Sequence, residues 1–95
     1  MKTVMIVSTD RYGTKKIEDF VLANGDLNKA NNLAWRRLLQ IVAFKIDDII
    51  AENYGIKKLS IDGEAHQAQI ERYKINSEDK CEIIYYELII RDIEI

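Results

Sequence analysis

The sequence predicts an α+β domain in the order β-α-α-β-β-β, with one long helix, preceded by a short one, packed on a mostly antiparallel sheet of about four strands. Three observations carry this expectation: an apolar, partly β-branched run at 3–8, a helix-spaced apolar stripe between 26 and 54, and alternating apolar residues from 58 onward. A ferredoxin-like arrangement, with a second helix at 64–74, is the competing fold. At 95 residues the chain has room for a single domain, 1–95.

The opening run Thr-Val-Met-Ile-Val-Ser is broken by polar residues and Gly13, the pattern of a central strand buried on both faces. From Lys15 the spacing changes. Ile17, Phe20, Val21 and Asn24 recur at i, i+3, i+4 and i+7, with Thr14 able to cap and Asn24-Gly25 able to stop, which predicts a short helix. Asp26 then offers the N-cap of a long helix reaching Tyr54, with Gly55 as the residue after its C-cap. Asn28, Asn31 and Asn32 compete for their own backbone, which moves the expected start towards Leu33.

Projected at about 100° per residue, Trp35, Leu38, Leu39, Val42, Ile46, Ile49 and Ile50 form the stripe expected to face the sheet. Leu33, Ile41 and Phe44 project instead to the side occupied by Arg37 and Asp48. This helix is therefore apolar on more than its core-facing side.

Beyond Gly55, Leu59 and Ile61 alternate with polar residues up to the turn signal Asp62-Gly63. The composition of 65–75 favours helix, but Ala68 and Ile70, then Tyr73 and Ile75, each show period two, so the segment is read as a strand with a bulge near Arg72. A polar connection, Asn76–Lys80, leads to a last strand at 82–95. Ile84, Tyr86, Leu88 and Ile90 share one face of it; Ile93 and Ile95 have the other parity.

Composition narrows the function classes. Hydrophobic residues make up 47% and charged residues 32%, and 14 bases against 16 acids give a net charge of −2, which argues against a disordered tail or a polyelectrolyte. The single Cys81 precludes an intramolecular disulfide and suits a reducing, cytoplasmic setting. The apolar opening is too short for a secretory leader, and no window approaches a membrane span. Sixteen isoleucines and no proline match a bias that an AT-rich genome also produces.

No catalytic constellation emerges. His66 has no second histidine or cysteine ligand beside it and reads as a surface residue next to a turn; Cys81 reads as a small hydrophobe. Gly13, Gly25, Gly55 and Gly63 stand singly, so no loop is rich enough to cradle a phosphate. Asp47-Asp48 and Asp92/Glu94 offer too few oxygens for a cation. No enzyme activity, cofactor or metal is expected.

Charge is unevenly spread, since residues 1–61 hold ten bases and seven acids, for +3, whereas 62–95 hold four and nine, for −5. The leading expectation is a small non-enzymatic interaction module that binds protein, as phage or mobile-element accessory proteins and inhibitors of host systems do. Its candidate interface residues are Leu33, Arg37, Ile41, Phe44, Tyr85, Ile89 and Ile93, and homodimerisation through helix faces or an edge strand is the simplest way to cover them. The alternative is a nucleic-acid-associated protein using Lys15, Lys16, Lys29, Arg36, Arg37 and Lys45, with Tyr12 available for stacking.

Overall fold

In the computed structural model, which describes residues 1–93 with the side chains of 77–79 excepted, the elements are β1 (Lys2–Thr9), β2 (Lys15–Leu22), α1 (Leu27–Ala51), β3 (Tyr54–Asp62), β4 (Gln67–Lys74) and β5 (Ser77–Asp92). Neighbouring strands are all antiparallel, in the order β2-β1-β5-β4-β3. The architecture is α+β, but with five strands and one helix, and α1 carries the chain from one sheet edge to the other. Strands pair where a second helix at 64–74 was the alternative, so the ferredoxin-like arrangement does not occur.

The short helix expected after Lys15 is a strand instead. Asp10 closes the β1–β2 hairpin: its carboxylate accepts from the backbone N–H of Tyr12 and of Thr14, both at 2.9 Å, while Gly13 supplies a φ of 78°. Opposite Ile6 and Val7, β2 holds one extra residue, Glu18, as a bulge. That insertion puts Ile17 and Phe20 on the same face three residues apart, which imitates helical spacing.

The helix begins where Asp26 caps it, its carboxylate accepting from Lys29 N–H at 3.0 Å, and the asparagines do not delay the start. It ends before Tyr54, because Asn53 takes the left-handed conformation (φ 62°) that Gly55 was expected to supply. Gly55 serves β3 instead. A Cβ there would overlap the Tyr73 ring, which rests over the glycine.

Core packing also turns the helix relative to the expected stripe. Ala30, Ala34, Leu38, Val42 and Ile49 are buried against Val4, Ile6, Val21, Ala68, Ile70, Ile84 and Tyr86, whereas Ile50 is 59% exposed. Ala30 and Ala34, which the expected stripe leaves out, are buried with Leu38, Val42 and Ile49, so the buried face is centred on the side of the alanines. Ile84, Tyr86, Leu88 and Ile90 do share the helix-facing side of β5. Strand β5 begins earlier than expected, after a turn at 75–76, and the register irregularity placed near Arg72 falls at Lys57 of the facing β3 and at Tyr73/Lys74 against β5. Ile95 and Glu94 lie outside the described residues.

Candidate functional site

Strand alternation gives the sheet a second face that none of the described elements covers. Thr3, Met5, Val7 and Thr9 of β1, Lys15, Ile17, Phe20 and Leu22 of β2, and Ile83, Tyr85, Glu87 and Ile89 of β5 lie on it. Phe20, Met5 and Ile89 form one cross-strand row, and Ile17, Val7 and Glu87 the next. Ile17 is 58%, Phe20 52% and Leu22 42% exposed. Thr3 and Val7, on the same face, are buried at 1% and 3% although neither belongs to the helix-side core. Across β4 and β3 the same face turns polar, with Gln67, Gln69 and Glu71 opposite Asp62, Ser60 and Lys58.

Beside this face, the outer edge of β2 is partly closed. The Ala23 N–H bonds the Lys2 carbonyl at 2.9 Å, a phase that directs the backbone groups of Phe20 away from β1. Both are engaged locally: the Phe20 N–H by the Asp19 carboxylate at 2.8 Å, the Phe20 carbonyl by Arg37 Nη1 at 3.3 Å. Arg37 also meets Asp19 at 3.5 Å. This arrangement blocks strand addition at the middle of the edge.

On the helix side, a cleft of about 530 Å³ opens between the C-terminal half of α1 and the ends of β1, β2, β4 and β5. Its charged lining is balanced, with Lys16, Lys45 and Arg72 against Asp10, Glu18 and Asp48. Glu18 accepts from the Ser8 hydroxyl at 2.8 Å, and Arg72 donates twice to Glu82, at 2.9 and 3.1 Å, while lying 4.6 Å over the Tyr54 ring. Tyr86 lines the cleft with its side chain almost wholly buried. Burial, reinforced by Glu18 and opposed by Arg72, pushes its hydroxyl up to about 12, so the phenol stays protonated at neutral pH.

Sequence-derived candidates are scattered over these features. Tyr85 and Ile89 lie on the uncovered face, and burial followed by the charges of Glu87 and Asp62 raises the Tyr85 hydroxyl pKa. Leu33 and Phe44 are exposed on the flank of α1, at 42% and 69%, with Arg37 engaged to β2 between them; Ile41 turns inward against the core, and Ile93 lies just beyond β5. The six basic candidates do not form one face. Lys15 reaches Glu87 at 3.9 Å on the uncovered side, Lys16 approaches Glu18 on the other, Arg37 is paired, Lys45 lines the cleft, and Lys29 and Arg36 belong to α1.

Ile17, Phe20, Leu22 and Met5 were missed as surface residues, because reading 15–24 as a helix buried the first two. His66 is not an isolated surface residue: its ring stacks on Trp35 at 5.1 Å and its Nδ1 accepts from Asn31 Nδ2 at 3.0 Å. It is roughly 20 Å along the β4–β5 ladder from Cys81, too far for a dyad. Among the described residues no group of three His, Cys, Asp or Glu side chains is placed to hold a metal, and no helix is long and apolar enough to cross a membrane. No protein family, curated protein or solved structure matches the chain.

Proposed function

We propose that the chain is a protein-binding module whose working surface is the uncovered sheet face, and that a second copy of the same face is its occupant. The observation that carries this reading is the cross-strand apolar patch of Ile17, Phe20, Leu22, Met5 and Ile89 on a face that none of the described elements covers. Self-contact also suits the charges there. Lys15, Lys58 and Arg91 balance Glu71, Glu87 and Asp62, so two copies meet without a net like-charge clash.

Size supports the same occupant. Five strands about 4.8 Å apart and eight residues long give a face of roughly 600 Å² in projection, and its corrugated accessible area approaches the ~800 Å² per partner of a stable interface. Two such faces would stack about 10 Å apart with apolar halves in contact and the glutamines at the rim. A small accessory or inhibitory product of a phage or mobile element, acting in a reducing cytoplasm by occupying a surface, is the setting that this reading fits.

Light scattering on the eluting protein tests it. Wild type is expected at twice the 11.1 kDa chain mass and Phe20→Asp at the monomer mass with its circular dichroism unchanged. A wild-type monomer at every concentration contradicts the reading.

A further inference from the structure

Tyr86 is the anomaly of the helix-side cleft. Its side chain is 2% exposed, yet among the described residues its hydroxyl makes no hydrogen bond. Among the described residues no fully enclosed side-chain polar atom lacks a partner, so the hydroxyl keeps some exposure, and the cavity that Tyr86 lines is this cleft. A phenol that makes no hydrogen bond within the fold is a donor available to something outside the protein. Lys45 repeats the pattern: it is half-buried in the same lining with no carboxylate in ion-pair reach. Of the other charged groups, Glu18 is engaged by Ser8, Arg72 by Glu82 and Asp10 by its hairpin amides, while Asp48 is exposed and makes no ion pair among the described residues.

We propose that this cleft binds a small organic monocarboxylate, its carboxylate held by the Tyr86 hydroxyl and the Lys45 ammonium and its apolar body lying against Ile41, Phe44 and Ile84. A dianionic phosphate adds two negative charges to a lining in which three acids already balance three bases, whereas a monocarboxylate adds one, set against Lys45. A volume of about 530 Å³ falls in the range of small-molecule sites, and the three apolar side chains supply the wall that such a body needs. The site is on the opposite side of the sheet from the proposed dimer face, so either reading can fail without the other.

The test is a titration of the ¹⁵N-labelled full chain, followed by amide shifts, with phenylacetate and isovalerate as probes and inorganic phosphate as the anion lacking an apolar body. Saturable shifts confined to residues around 41–48 and 84–86 are expected with both carboxylates and not with phosphate. Tyr86→Phe should keep its melting temperature and lose at least about tenfold in affinity, as deletion of a hydrogen bond to a charged group does. Lys45→Met should weaken binding about fivefold and reduce the loss of affinity with rising ionic strength. Absence of saturable shifts with either carboxylate, equal binding of phosphate, wild-type affinity in Tyr86→Phe, or a lowered melting temperature in that variant would each overturn the proposal.

Discussion

The two faces of the sheet are built from neighbouring residues of the same strands and have opposite fates. Val4, Ile6, Ile70, Ile84 and Tyr86 face α1 and are buried, while Ile17, Phe20, Leu22 and Ile83 face outward and remain at least 42% exposed. Only the first set requires one particular helix, whose Ala30, Ala34, Leu38, Val42 and Ile49 complete the same core. The second set is apolar without a built-in cover. The fold of one chain therefore rests on one face, and the other is left for an intermolecular contact.

Matched truncations should sharpen that contrast most. Ile70→Ala, at a fully buried site, is expected to lower unfolding free energy by about 2–5 kcal/mol, read as a shift in the urea midpoint. Ile17→Ala, measured at concentrations where the chain is monomeric, is expected within about 0.5 kcal/mol of wild type. Equal losses at the two sites would mean that the outer face contributes to the monomer's own stability and would break the comparison.

High pH separates the faces through their tyrosines. The Tyr86 pKa is raised from 10.0 to about 12 in the folded chain, so its contribution is fully present below pH 10 and is lost as pH climbs through 12. Tyr85 is raised as well, and its contribution is lost in the same sense. Alkaline unfolding of wild type should therefore be steeper than that of Tyr86→Phe, with a smaller residual slope from Tyr85; identical profiles would contradict burial of the Tyr86 ring.

The seams between helix and sheet give smaller effects. His66→Ala removes both the stack on Trp35 and the bond from Asn31, with an expected loss of about 1 kcal/mol and a red shift of Trp35 emission. Arg37→Ala removes an exposed ion pair with Asp19, for about 0.2–1 kcal/mol, but also frees the Phe20 carbonyl at the β2 edge. Species larger than a dimer should then appear in sedimentation velocity. Unchanged sedimentation would show that the edge is blocked by something other than Arg37.

What the sequence reveals and what it hides follow from the same geometry. The central strands and α1 are legible because burial against a second layer imposes a regular period on the residues involved, as in Ile84-Tyr86-Leu88 and in Leu38-Val42-Ile49. Strand β2 is not, since the bulged Glu18 shifts Phe20 and Val21 by one position and turns a strand into an apparent helix turn. The uncovered patch was lost with it. The cleft is invisible for a different reason: Tyr86 reads as one more residue of an apolar strand face, and its unused hydroxyl becomes evident only when β1, β2 and α1 are placed around it.

The central claim, that the uncovered face meets its own copy, is tested most directly by isotope-filtered nuclear Overhauser measurements on a one-to-one mixture of labelled and unlabelled chains. The account predicts intermolecular contacts from the methyl groups of Ile17 and Ile89 to Met5 and Phe20 of the other chain. Contacts that run instead from Leu33 or from the Phe44 ring, or none at concentrations where light scattering reports a dimer, would contradict it.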